Sequence, residues 1–149
     1  LEPDHESLRD LPKQTWTDGG HDYPLQVRWS DLDSYAHANN VKYYDYIQEA
    51  RVALMAQALR WLERDSPSAD DVWMVVRQDL DYRRPLDFRA APYRVNTVVT
   101  AVGNRSIRLA AQIDDPDTGT VFAQARTILV GQQPLTDRQR IALAGLAPA

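Results

Sequence analysis

The chain has 149 residues, a hydrophobic share of 44% and a charged share of 26%, the profile of a single globular domain able to close one core. It has no cysteine, which excludes disulfides, thiolate metal sites and cysteine nucleophiles together and fits a reducing, cytoplasmic setting. A formal net charge of -4 disfavours nucleic-acid binding, which wants a basic face, and no apolar run approaches the ~18 residues of a membrane span.

Residues 1–22 mix charge with Pro and Gly and keep no period, so they read as an N-terminal arm ahead of a domain over 23–149. The first residues, Leu1-Glu2-Pro3-Asp4, have neither the positive flank nor the apolar stretch of a signal peptide. Leu25, Val27 and Trp29 alternate with Gln26, Arg28 and Ser30, which predicts a half-buried strand. Asp31 to Asn40 is polar and reads as a loop. The stretch from Val41 to Arg64 lacks Gly and Pro and carries Val41, Tyr44, Ile47, Leu54, Ala58 and Trp61 near helical spacing, so it predicts a long helix with one apolar stripe. Asn39 or Asn40 is placed to cap its first turn, and Ser66-Pro67-Ser68 to end it.

Strand signals fill most of the remainder. Val72 to Tyr82 is one, stopped by Pro85, and the β-branched run Tyr93 to Val102 is the next, closed by Gly103-Asn104. Ile107, Leu109, Ala111 and Ile113 alternate with Arg108, Ala110, Gln112 and Asp114, a clear period of two. Asp115-Pro116-Asp117-Thr118-Gly119 is a strong turn into a strand from Thr120 to Val130, and Thr136 caps a short last helix reaching about Ala144. Short turns make consecutive strands antiparallel, and the long helix is the only element able to cover one face of their sheet. The expected class is α+β: about five antiparallel strands curled around one long central helix.

The densest text for chemistry is Asp31-Leu32-Asp33-Ser34-Tyr35-Ala36-His37-Ala38-Asn39-Asn40, running on to Tyr43 and to Glu49-Ala50-Arg51. This pattern resembles the signature of hot-dog acyl-CoA thioesterases of the 4-hydroxybenzoyl-CoA thioesterase class, most of all their long-chain acyl-CoA branch. Tyr82-Arg83-Arg84-Pro85-Leu86 is similar to the segment after that family's second strand, and the likeness runs from Leu25 to Val130. Where some members have Gly before the histidine, Ala36 stands here.

The resemblance implies hydrolysis of acyl-CoA with Asp33, rather than Asp31, as the catalytic acid. His37 then faces the thioester as a hydrogen-bond donor, and no metal or organic cofactor is needed. Physical chemistry agrees with that placement. A thioester carbonyl lodged at a helix N-terminus is polarised by free N–H groups, and a carboxylate beside it can activate water or attack to form a mixed anhydride. Glu49, on the helix, is the competing carboxylate, since a related branch uses a helical Glu as base. An ion pair or a dimer contact is the alternative for Glu49 and Arg51, and a structural tie the alternative for Asp31.

For substrate binding the candidates are Asn40 at the helix start, Tyr43, Tyr44 and Ile47 along an acyl channel, and Arg83, Arg84, Arg105 and Arg108 for the phosphates of CoA. Arg105-Ser106 is the first choice there, because it resembles the family's turn near the CoA channel. His5, His21 and His37 lack metal-ligand spacing. The family joins sheets edge to edge, which implies a homodimer or homotetramer. Two readings compete with acyl-CoA hydrolysis: an acyl-ACP thioesterase on the same fold, and a non-catalytic acyl-CoA binding module.

Overall fold

The computed structural model describes residues 19–59 and 72–149. Five strands form one antiparallel sheet: β1 His21–Leu25, β2 Trp73–Tyr82, β3 Tyr93–Val102, β4 Ser106–Asp114 and β5 Val121–Gly131, in the order β1-β3-β4-β5-β2. Helix α1, Lys42–Leu59, packs on β1 and β3, and a short helix α2, Asp137–Ala144, packs on α1 and β3. This is the expected α+β, hot-dog plan, with the expected short last helix beside it.

Tight turns give β3, β4 and β5 their meander. At the second turn Gly119 has φ +74° and the Asp115 carboxylate accepts the Asp117 N–H at 3.0 Å. By contrast β2 and β3 are not neighbours. They lie on opposite sides of the β4–β5 pair, so residues 83–92 cross the end of the sheet. The chain enters β1 through Gly20 (φ +72°), whose backbone lies so close to the Thr97 carbonyl and Val98 that a side chain would collide with them.

Two expectations shift. The first strand starts earlier: His21 and Asp22, assigned to the arm by composition, begin β1, whereas Trp29 lies in a short 3-10 turn, Trp29–Asp31, and is 74% exposed. The turn forms because the Asp31 carboxylate takes the Arg28 N–H and guanidinium at 3.0 and 3.1 Å. The apolar stripe of α1 also has a different phase. Tyr43, Tyr46, Ile47, Ala50, Leu54 and Met55 are buried, while Val41 is 65% exposed and Tyr44 is exposed. Both phases satisfy helical spacing; the buried one lets the Tyr43 and Tyr46 hydroxyls find partners. The sheet makes room for those rings with small inward residues, Ala111, Ala123 and Ala125, in the same core cluster. Finally, Trp61 and the expected helix end near Arg64 lie outside the described residues.

The last helix forms as predicted: Thr136 Oγ1 accepts the Gln139 N–H at 3.1 Å and the Gln139 side chain returns the bond at 2.9 Å. A second core cluster, including Leu54, Ile107, Leu109, Leu129 and Leu143, fills the far end of the sheet. Among the described residues no helix is long and apolar enough to cross a membrane.

Candidate active site

The loop before α1 is built by its own backbone. The Asp33 N–H donates to the His37 carbonyl at 2.9 Å and the Ala36 N–H to the Asp33 carbonyl at 3.0 Å, which closes a tight turn. Ala36 adopts φ +63° there, the left-handed conformation that glycine takes most easily. Asn39 then launches the helix: its side-chain oxygen accepts the Val41 N–H at 3.0 Å and its carbonyl the Lys42 N–H at 2.8 Å. Of the two asparagines, Asn39 is the capping residue.

Asp31 anchors this loop from beneath. Its side chain is fully buried, and the Tyr46 hydroxyl donates to it at 2.8 Å beside the two Arg28 bonds. Burial by itself would raise its pKa, but the Arg28 N–H, the Tyr46 hydroxyl and the Arg28 guanidinium together hold it below the usual carboxylate range. This is the structural tie weighed for Asp31.

Asp33 is placed differently. Half-buried, it opens onto a surface cavity of about 410 Å³, shared with Asn40, Tyr43, Arg83 and Arg84. Ala38, Tyr82 and Pro85 complete the wall. One carboxylate oxygen of Asp33 accepts the Tyr35 N–H at 2.9 Å; among the described residues the other has no protein donor, and the Asn40 N–H has no acceptor. A carboxylate and the start of a helix thus meet in one hollow, with two arginines at its margin.

Two tyrosines fasten the hollow. The Tyr82 hydroxyl, at the end of β2, donates to the Asn40 carbonyl at 2.8 Å. The Tyr43 hydroxyl accepts the Leu86 N–H at 3.0 Å and donates to the Arg84 carbonyl at 3.3 Å, tying the first turn of α1 to the crossing segment. The rings meet edge to face at 5.0 Å. Burial raises the pKa of both phenols, so they serve as neutral hydrogen-bonding groups. Tyr82 was not singled out as a site residue from sequence; its signals were its place in the Tyr82-Arg83-Arg84-Pro85-Leu86 segment that resembles the family and its position closing a strand.

The remaining candidates lie elsewhere. His37 does not line the cavity; its Nε2 sits 3.3 Å from the Asp87 carboxylate, a partner that nothing in the motif indicates. Ile47 is buried one turn below Tyr43 and Tyr44 faces outward. Glu49 is exposed and borders a separate cavity of about 490 Å³, between β1 and α1, with Asp45 and Tyr46. Arg51 is buried, forms no ion pair with Glu49, and has its pKa lowered by that burial. Arg105, Ser106 and Arg108 lie at the β3–β4 turn, about 30 Å along β3 from its Tyr93 end at about 3.3 Å per residue. Within one chain they therefore do not reach the Asp33 hollow, because a meander puts successive turns at opposite ends of the sheet. Among the described residues no cluster of three His, Cys, Asp or Glu side chains could hold a metal ion.

Comparison with known proteins adds a family to this geometry. A family model described as the thioesterase-like superfamily matches residues 27–140. The uncharacterized protein YsmA of Bacillus subtilis is 30% identical over 104 residues, which is 67% of this chain and 65% of YsmA, so the chain matches slightly under two thirds of that relative's length. Among solved structures, the PA5185 protein of Pseudomonas aeruginosa superposes with a TM-score of 0.75 at 23% identity, over 90% of this chain and 96% of that one. A thioesterase from Thermus thermophilus complexed with coenzyme A and Zn superposes with a TM-score of 0.71 at 24% identity, over 89% and 96%. At these identities the structural likenesses speak for the fold.

Proposed function

The chain belongs to the thioesterase-like superfamily, and from that premise we propose that it hydrolyses acyl-CoA thioesters to a free carboxylic acid and CoA, with Asp33 as general base or nucleophile. The observation that carries this reading is the meeting of the Asp33 carboxylate and the Asn40 end of α1 in one cavity edged by Arg83 and Arg84. The thioester carbonyl lies against the helix start, where the Asn40 N–H and the helix dipole favour the oxyanion. Asp33 either takes a proton from water as its oxygen attacks the carbonyl carbon, or attacks that carbon itself and leaves a mixed anhydride for water to open. In both routes the C–S bond breaks and CoA leaves as the thiolate.

The acyl group enters past Tyr43 toward Ile47. The nucleotide phosphates stay at the surface, since burying several unpaired charges is prohibitive, and Arg83 and Arg84 meet them. His37, held by Asp87, shapes the loop rather than touching the carbonyl. Arg105 and Ser106 join a site only when a second copy brings them there.

A homodimer formed through β2 supports such sharing. β2 is an edge strand that pairs only with β5 among the described residues, and Met74, Val75 and Val76 on it are exposed; an apolar edge of this kind invites pairing. A strictly monomeric mass in solution with full activity would end the dimer reading.

Release of free thiol from a panel of acyl-CoAs and acyl-ACPs tests the activity and the carrier together. Turnover of acyl-CoA that collapses in Asp33→Asn is the expected result. Binding of acyl-CoA without turnover would make the chain a binding module instead. A single turnover in ¹⁸O water tests for the anhydride route, because label enters Asp33 only when water opens an anhydride at the Asp33 carboxyl carbon.

A further inference from the structure

The outward face of the sheet holds polar side chains that the mechanism above does not use. Along β4 and β5 the inward residues Ala111, Ile113, Ala123 and Ala125 pack in the core beneath α1. Their alternates Gln112, Asp114 and Gln124 point the other way and are nonetheless 1%, 1% and 0% exposed. Buried amides are strongly unfavourable unless bonded, and these are bonded in one direction. Arg83 Nη2 donates to Gln124 Oε1 at 2.9 Å, Gln124 Nε2 to Gln112 Oε1 at 3.0 Å, and Gln112 Nε2 to Asp114 Oδ2 at 3.0 Å. Arg94 closes the far end with a two-pronged grip on Asp114 at 2.9 and 2.7 Å.

Each amide presents its oxygen toward the Arg83 cation and its NH₂ toward the Asp114 anion, so both end charges favour the same orientation and the bonds reinforce one another. Reversing Gln124 would set its NH₂ against the Arg83 guanidinium, and reversing Gln112 would set its oxygen against the Asp114 carboxylate. The chain therefore fixes one corner of the Arg83 guanidinium, and the Asp81 carboxylate, 3.7 Å away, flanks the same nitrogen. Arg83 follows β2 directly and lines the Asp33 cavity. Its Nε and Nη1 have no acceptor among the described residues, and its side chain is one-third exposed. A rigid fork held at one prong and open at the others suits a tetrahedral oxyanion, which accepts parallel N–H bonds.

We propose that Gln124, Gln112 and Asp114 are positioning residues that aim Arg83 at a phosphate of the thioester's nucleotide carrier. The proposal rests on the acyl-CoA reading for the identity of that phosphate. A side chain immobilised before binding loses less entropy on contact, so the relay acts on affinity for the carrier and leaves the bond-breaking step alone.

The test combines kinetics with calorimetry of CoA binding on wild type, Gln124→Leu, Arg83→Ala and the double variant. Gln124→Leu should raise KM for acyl-CoA and Kd for CoA about tenfold, with kcat unchanged and a short thioester lacking the nucleotide hydrolysed as before. It should add little to Arg83→Ala, because both changes remove the same contact. If the single variant folds poorly, Gln112→Leu with Gln124→Leu removes both buried amides, so that neither is left unpaired against the other, and should keep the raised KM and Kd. Equal losses on both thioesters, or additive effects in the Arg83 double variant, would overturn the relay as a positioning device. Should wild type hydrolyse no thioester, the proposed activity fails while calorimetry still reads the relay. Should wild type be active and Gln124→Leu bind CoA normally, the relay alone fails.

Discussion

Asp31 and Asp33 stand two residues apart on one loop, in opposite surroundings. Asp31 is sealed beneath the loop, bonded by Arg28 and Tyr46 and held in its charged form. Asp33 opens on the cavity with one oxygen accepting the Tyr35 N–H and the other without a protein donor among the described residues. A carboxylate buried away from water and held in its charged form by three hydrogen bonds is a poor base toward water, whereas one with an oxygen open to a cavity can serve as one. The same residue type thus supplies an anchor and, in the proposed mechanism, a reactive group, and the surroundings of each divide the roles.

The sharpest way to break this contrast is substitution of Asp33. Asp33→Asn keeps the size and removes the base, so turnover should fall at least about a hundredfold with KM little changed. Glu49→Gln, on the exposed side of α1, should change kcat less than about twofold. Steady-state kinetics on one acyl-CoA decides the pair; a reversal would move the catalytic carboxylate to the helix.

Asp31→Asn should act on stability first. Losing the charged acceptor beneath the loop should lower unfolding free energy by about 2 kcal/mol, read by denaturant titration. The pH dependence has a fixed sign. Because the folded pKa of Asp31 is depressed, its contribution is present above the unfolded value near ~3.9 and is lost as pH falls through the folded value. Wild type should therefore lose stability in acid below about pH 4, and Asp31→Asn should flatten that limb. An unchanged acid limb would mean that Asp31 is not the anchor.

Tyr82→Phe probes the Asp33 side more gently. It removes the bond to the Asn40 carbonyl and loosens the helix start, so kcat should fall about three- to tenfold while the thermal midpoint barely moves. A large midpoint shift with unchanged kcat would make Tyr82 a fold residue only. Ala36→Gly should have the smallest effect. Relief of the left-handed strain, about 1 kcal/mol, is offset by the greater freedom of unfolded glycine, about 0.4–1 kcal/mol. Stability should stay within about 0.5 kcal/mol of wild type, and a larger loss would show that the methyl group packs.

Much of the fold was legible because its signals are local. The period of two from Ile107 to Ile113, the Asp115–Gly119 turn and the Thr136 capping box each lie within a few residues, and each formed where expected. The loop text pointed to Asp33, and the cavity gathers Asp33, Asn40, Tyr43, Arg83 and Arg84 from the residues chosen beforehand. What depended on distant partners was not legible. The expected stripe of α1 ran through Tyr44, whereas Tyr43 is inward because its hydroxyl meets Arg84 and Leu86 across 41 and 43 residues. The position of Arg105 followed from strand order, β1-β3-β4-β5-β2, which no periodicity encodes. Gln112 read as an alternate of the apolar positions and Gln124 drew no reading of its own, and only the assembled sheet buries them between Arg83 and Asp114. Local sequence determined which segments become strands, helices and turns, because backbone preference and side-chain period act over a few residues. Tertiary structure decided which polar groups are buried together, because hydrogen-bond satisfaction is settled only when strands remote in sequence lie side by side.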